Sequence, residues 1–228
     1  MRQIRALISL VRWDCILELR RLDAVLNMSL FAVFMLWLAS FAVSSDKEAQ
    51  ARIGPLIFWI AILFAGTVGL SRAFLVEQAG GVLTGVLTAP VDHGVFYLAK
   101  VAATWLYMMV MELFLLGAYV VLFNFTHWER VPFLLGTMAG FTLGYAAVGI
   151  VIAGMTAVIR GGEVVLRVLL FPVLVPMVIA ILEASESVFP GISLTETQRL
   201  SRPLVILIAL DTIYLTVGYV LFPKVVEE

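Results

Sequence analysis

The chain alternates between long apolar stretches and short polar segments. An α-helix needs about 20 predominantly apolar residues to cross a bilayer, and six stretches of roughly that kind occur along the sequence. The pattern therefore predicts six transmembrane helices, over residues 24–45, 53–71, 101–125, 131–159, 164–182 and 203–222. The fifth is the shortest and contains Pro172 and Pro176, so a re-entrant segment is the alternative there.

Two segments outside these helices are also expected to form helices. Residues 1–23 place apolar side chains along one face and most charges elsewhere, which predicts an interfacial helix on the membrane surface. A plain extension of the first transmembrane helix is the alternative. Residues 72–100 are long for a bare connector, and a short apolar helix is expected between Gly81 and Pro90. That helix suits either a groove of a partner protein or the membrane surface.

The composition agrees with a membrane protein. Hydrophobic residues make up 62% of the chain and charged residues 14%, whereas soluble domains average about 45–50% and about 25%. The formal net charge of -1 gives no basic field for nucleic acid. The single cysteine, Cys15, excludes an internal disulfide and a cysteine-based metal cluster. The amino terminus shows no cleavage site typical of a signal peptide, so it is not expected to be one. The six apolar stretches and this composition predict an all-α integral membrane fold.

Basic residues indicate the orientation. If the amino terminus is cytoplasmic, ten of the 15 Lys and Arg residues lie on the cytoplasmic side and five lie outside. Lysine and arginine are enriched in cytoplasmic loops. We therefore expect a multi-pass protein whose two termini and 72–100 loop are all cytoplasmic.

Two carboxylates fall inside predicted transmembrane helices. Glu112 lies in the third and Asp211 in the sixth. A charge at the bilayer centre costs about 2.5–3.5 kcal/mol, so both are expected to face protein or a water-filled cavity. They are candidates for a substrate or proton path. The structural alternative is a neutral carboxyl that hydrogen-bonds a neighbouring helix, and the sequence leaves both interpretations open.

Small residues recur along the fourth predicted helix. Glycines at every fourth position allow helices to approach closely in lipid. Packing within the chain is the plainer interpretation, and a dimer interface or a sliding surface is the alternative. The candidate packing residues are Gly136, Gly140, Gly144 and Gly149.

The chain carries no recognisable catalytic motif. It contains no Gly-x-x-x-x-Gly-Lys-Ser/Thr phosphate loop, no His-Glu-x-x-His zinc motif and no Gly-x-Ser-x-Gly elbow. No catalytic residue and no metal site are predicted, so any uphill transport by this chain would need energy from a partner or an ion gradient. His127, beside Trp128 in an outer loop, is a candidate haem ligand. The alternative is that this pair has no ligand, since tryptophan is expected in the interfacial belt in any case.

The 72–100 loop resembles the coupling loop of a known family. The string Phe74-x-x-Glu77, Gly81-x-Leu83-x-Gly85-x-Leu87-x-Ala89-Pro90-Val-Asp92 is similar to that of the CcmB family, the B-type haem-exporter proteins of cytochrome c maturation. Weaker similarities follow in order along nearly the whole chain, from Glu18-Leu-Arg20-Arg21 to the tail at 221–228. Departures are Gln78 and Ala79, where the family usually has Arg-Glu, and His93, where it tends to have Arg.

The resemblance implies a type 2 permease of the ATP-binding-cassette exporters, with residues 1–228 forming one transmembrane domain. Such a permease is non-catalytic, lies in the bacterial inner membrane and pairs with a separate cytosolic ATPase, two copies of each being expected. Other implied partners are haem-delivery membrane proteins of the cytochrome c maturation C and D type and a periplasmic haem chaperone. The ATPase-coupling residues would be Phe74, Glu77, Gly81, Leu83, Val86, Leu87, Pro90 and Asp92.

The resemblance also bears on ligands and cargo. No directly bound cofactor is expected, haem being a possible substrate and ATP acting only through the partner. ATP hydrolysis would drive either haem export or release of the haem-loaded chaperone. The alternatives are a type 2 permease for another cargo, such as lipid or drug, and a proton-coupled transporter that uses Glu112 and Asp211.

Overall fold

The computed structural model describes residues 11, 23–43, 47–71, 92–157, 159, 161–188 and 197–227. Its regular elements are all helical within these ranges. The α-helices are α1 (Asp23–Val43), α2 (Lys47–Leu70), α3 (His93–Leu122), α4 (Val131–Thr156), α5 (Gly162–Val188) and α6 (Thr197–Glu227), and a 3-10 turn, Trp128–Arg130, joins α3 to α4.

Each of the six helices is long and apolar enough to cross a membrane. The prediction of an all-α membrane protein with six transmembrane helices is therefore confirmed. The predicted interfacial helix over residues 1–23 lies almost entirely outside the described residues. The same holds for residues 72–91, which contain the predicted coupling helix.

The bundle is arranged around α4. This helix packs against α3, α5 and α6 and also touches α2. Phe141 and Tyr145 of α4 are fully buried, and the Tyr145 hydroxyl donates a hydrogen bond to the Leu63 carbonyl of α2 at 3.1 Å. Lipid supplies little hydrophobic driving force between helices, so close packing and interhelical hydrogen bonds of this kind hold the bundle together.

The helix α1 lies at the edge of the bundle. It packs against α2 and α3, and Met28, Ala32 and Leu36 form its buried side. Its other side exposes Phe34 and Phe41, among other large apolar residues. Exposed apolar surface is expected where a helix faces lipid.

The helix α3 begins at His93, eight residues before the predicted boundary at Val101. Asp92 is its N-cap: the carboxylate Oδ1 accepts a hydrogen bond from the Gly94 amide at 2.8 Å. The sequence prediction placed Lys100 at the end of the preceding loop, but Lys100 is 94% buried inside the helix, with its ammonium group 5.8 Å from the centre of the Phe96 ring. A long lysine side chain can bury its methylene groups within a helical bundle.

The helix α5 is continuous through both prolines. Pro172 and Pro176 lie inside Gly162–Val188, so the re-entrant alternative is wrong. Proline supplies no amide hydrogen to the carbonyl four residues before it, and such breaks are tolerated in transmembrane helices. The helix α5 is also tied to α6, because the Tyr214 hydroxyl donates to the Val173 carbonyl at 2.7 Å.

The helices α5 and α6 extend beyond their predicted limits. The helix α5 ends at Val188 rather than 182, and α6 begins at Thr197 rather than 203. The segment between the fifth and sixth predicted helices, residues 183–202, is therefore partly helical. Charged residues in this segment marked the predicted boundaries, but helices readily continue past the apolar part of a membrane.

Candidate functional site

Glu112 is fully buried between α3 and α4. Its Oε1 accepts a hydrogen bond from the hydroxyl of Thr142 on α4. Its Oε2 is also buried and has no hydrogen-bond partner among the described residues. The carboxyl group thus has one satisfied oxygen and one that remains available to a donor or a proton.

Asp211 lies between α6 and α4 and is 93% buried. Its carboxyl group fits against the backbone of two glycines: a β-carbon at Gly140 would lie 3.7 Å from Oδ2, and one at Gly144 would overlap Oδ1. Met177 of α5 reaches the same place, since its Sδ would be 2.7 Å from that β-carbon. Oδ1 has no hydrogen-bond partner among the described residues.

The two carboxyl groups flank α4 at the same depth. Thr142 is two residues from both Gly140 and Gly144, a rotation of about 200° and a rise of about 3 Å in an α-helix. Glu112 and Asp211 therefore contact opposite faces of α4 near its middle, and α4 lies between them. The arrangement provides two separate buried sites, each able to hold a proton, rather than one pair of carboxylates that share a proton.

The remaining glycines of the predicted packing series differ from one another. A β-carbon at Gly149 would overlap the side chain of Leu70 on α2, with Cδ2 at 2.7 Å. Gly136 is exposed, and no described atom lies within 4 Å of a β-carbon placed there. The four-residue spacing is thus shared by Gly136, Gly140 and Gly144, but close packing in the described structure occurs only at some of these positions.

The predicted coupling residues lie mostly outside the described part of the chain. Of that set only Asp92 is described. It is exposed at the start of α3, and in addition to capping α3 it accepts a hydrogen bond from the Tyr219 hydroxyl of α6, Oδ2 to hydroxyl oxygen 3.5 Å. We refer to the end of the bundle where α3 begins and α6 reaches Tyr219 as the Asp92 end.

His127 lies at the opposite end of α3, before the 3-10 turn. Its Nδ1 is 3.5 Å from the carboxylate of Glu129, which also lies 4.0 Å from Nε of Arg130. Its ring meets that of Phe125 edge-on at 6.0 Å. Among the described residues no group of three or more histidine, cysteine or acidic side chains could hold a metal ion.

Sequence reasoning missed the tyrosines that connect α3 and α6. Tyr97 is fully buried and its ring lies against Gly218, while the ring of Tyr219 lies against Gly94. The sequence does contain these pairs: Gly94 lies three residues before Tyr97 on α3, and Gly218 directly precedes Tyr219 on α6. Only the packing of the two helices shows that each ring fills the gap left by the other helix's glycine.

Comparisons with known proteins cover nearly the whole chain. The sequence model of a family described as CcmB protein matches residues 5–227. Heme exporter protein B of Bradyrhizobium diazoefficiens is 27% identical over 213 residues, 93% of this chain and 93% of that protein. Proteins with the same description from Rhodobacter capsulatus and Pseudomonas aeruginosa are 28% and 24% identical, over 65% and 70% of this chain and 68% and 71% of their own lengths.

Proposed function

The chain belongs to the CcmB protein family, and we propose from this that it is the membrane permease component of an ATP-driven exporter serving cytochrome c maturation. The observation that carries the proposal is the family match over residues 5–227, in a chain whose six helices can each cross a membrane. Relatives along most of the chain are described as heme exporter protein B. Haem is therefore the first cargo to test.

A separate cytosolic ATPase would drive this permease. The chain has no phosphate-binding loop of its own, so it acts as a non-catalytic component. Residues 74–92 would contact the ATPase through Leu83, Leu87 and Pro90, and Asp92 would connect that contact to α3. Two copies of each protein would form the complex, beside membrane proteins that deliver haem and a periplasmic haem chaperone.

The proposed orientation follows from the basic residues. The Asp92 end would face the cytoplasm, and both termini would lie there, in a multi-pass protein of the inner membrane. The 3-10 turn with His127 would then face the periplasm. ATP hydrolysis would serve either export of haem or release of the loaded chaperone on that side.

A haem-stained denaturing gel tests the proposal. Covalently attached c-type haem survives denaturation, so membranes from a strain that lacks the gene should lose all c-type bands, and a plasmid copy should restore them. Normal bands in the deletion strain would reject a role in cytochrome c maturation. A type 2 permease for another cargo, such as lipid or drug, would then become the leading interpretation.

The buried carboxyl groups favour a second candidate function. Glu112 and Asp211 each have one buried oxygen without a partner among the described residues, and intramembrane carboxyl groups serve as proton relays in transporters. A proton-coupled transporter would need at least one of them to ionise during its cycle. Once the deletion strain has shown that c-type haem depends on this chain, unchanged c-type haem in a normally inserted Glu112→Gln, Asp211→Asn double variant would reject this candidate.

A further inference from the structure

At the Asp92 end, α3 and α6 are joined by two reciprocal contacts between a tyrosine and a glycine. The ring of Tyr219 on α6 lies so close to Gly94 on α3 that a β-carbon there would be 2.6 Å from the tyrosine Cζ. The ring of Tyr97 on α3 lies equally close to Gly218 on α6, where a β-carbon would be 2.5 Å from its Cζ. We call these two contacts the tyrosine–glycine clamp.

The clamp is anchored to the rest of the bundle. The hydroxyl of Tyr97 donates a hydrogen bond to the Ala147 carbonyl of α4 at 3.1 Å. Phe222, one turn beyond Gly218, is fully buried, with its ring 5.5 Å from that of Tyr97 and 6.1 Å from that of Phe96. Because close-packed contacts transmit displacement rather than absorb it, α3 and α6 should move together at this end.

Asp92 connects the clamp to the first residues of α3. One carboxylate oxygen caps the helix at the Gly94 amide, and the other accepts the Tyr219 hydroxyl at 3.5 Å. The latter hydrogen bond is long, so the packing of Tyr219 against Gly94 carries most of the contact. The residue that follows the 72–91 segment thus touches α6 directly.

The clamp lies on the same face of α6 as Asp211. Seven residues separate Asp211 from Gly218, which is close to two full helical turns, and both are buried against the bundle. A shift of α6 at the clamp would therefore be carried along a continuous helix to the place where Asp211 fits against Gly144 of α4.

We propose that the tyrosine–glycine clamp couples the Asp92 end to the Asp211 site in the middle of the membrane, with Tyr219 as the positioning residue. The proposal rests on the proposed function, because the driving movement comes from an ATPase bound at residues 74–92. ATP would move the start of α3, and the clamp would make α6 follow.

The test uses the full complex, purified with its ATPase and placed in lipid nanodiscs. Cys15 is replaced by serine, and Thr212→Cys carries an environment-sensitive fluorophore, because Thr212 is exposed and next to Asp211. ATP with vanadate should change the fluorescence of this labelled protein. Tyr219→Ala should reduce that change about five-fold or more, the lower range of allosteric coupling, while ATP hydrolysis and ATPase co-purification persist. Gly117→Leu is the matched control, because no described atom lies within 4 Å of a β-carbon there.

A double-variant cycle with Gly94→Ala and Tyr219→Ala checks that the contact itself is responsible. The added methyl and the shortened side chain should compensate, so the double variant should lose less signal than the two single variants predict. An unchanged fluorescence response in Tyr219→Ala would overturn the proposal. Parallel loss of hydrolysis, co-purification and signal would also overturn it, because that pattern describes a purely structural contact. If no ATPase co-purifies with the parent protein, the proposed function fails, and the role of the clamp fails with it.

Discussion

The hydroxyl of Thr142 donates a hydrogen bond to the carboxyl group of Glu112, joining α3 to the middle of α4. Both side chains are fully buried. A buried polar group that loses its partner keeps the full cost of desolvation. This hydrogen bond should therefore contribute to stability whether or not Glu112 takes part in transport.

Thr142→Val should destabilise the protein, because valine keeps the shape of threonine but leaves Oε1 of Glu112 without its donor. We expect a loss of about 1–3 kcal/mol in the free energy of unfolding, measured as a lower apparent Tm in detergent. Thr137→Val is the matched control, since Thr137 is also buried on α4 but donates to a carbonyl of its own helix at 2.8 Å. Equal Tm values for the two variants would show that the contact with Glu112 contributes nothing.

Gly144→Leu should be far more disruptive than Gly136→Leu. A side chain at Gly144 would displace the carboxyl group of Asp211 and the thioether of Met177, whereas Gly136 has open space. Overpacking typically costs about 1–3 kcal/mol, so Gly144→Leu should lower the Tm and the yield of inserted protein. If Gly136→Leu is the more harmful substitution, an interface outside this chain must use the Gly136 surface.

Tyr214→Phe should destabilise α5 through the loss of its donor to the Val173 carbonyl. We expect about 0.5–1.5 kcal/mol, the net value of a typical hydrogen bond. The matched control is Thr216→Val, because the Thr216 hydroxyl donates only to the Thr212 carbonyl of its own helix. Thermal unfolding in detergent measures the effect, and equal Tm values for the two variants would show that the contact with Val173 contributes nothing.

Leu83→Glu or Leu87→Glu should detach the ATPase while the permease remains inserted. A charge on the apolar stripe of the predicted coupling helix would be desolvated in a partner's groove. Co-purification of the ATPase with a tagged permease measures the effect, with Leu83→Met as the conservative control. ATPase recovery at the parent level in both glutamate variants would make the coupling assignment wrong.

The number and order of the transmembrane helices could be predicted from hydropathy alone, because each helix must satisfy its backbone and cover it with apolar side chains. The start of α3 was predicted wrongly, because Lys100 was assigned to the preceding loop, whereas the N-cap at Asp92 sets the start of the helix. A capping residue fixes a helix start by local hydrogen bonding, whereas a single charge only suggests where lipid ends.

The contacts of the buried polar residues could not be predicted from the sequence, for a different reason. The cost of a charge in the membrane predicts that Glu112 and Asp211 avoid lipid. It does not predict that both contact α4 or that they do so on opposite faces, because these contacts depend on which helices become neighbours. The same limit applies to Gly136 and Gly144, which share one spacing but have different neighbours.

The position of Glu112 has a consequence for biosynthesis. The chain is made from its amino terminus, so Glu112 reaches the bilayer on α3 before its donor Thr142 on α4 is available. The connection between the two helices is short, residues 123–130, which allows α3 and α4 to insert as a hairpin with that contact made early. Asp211 arrives last, at a surface already shaped by Gly140 and Gly144. A nascent chain stopped after α3 would therefore leave an acidic group facing lipid, whereas one stopped before α6 would leave only an unfilled groove.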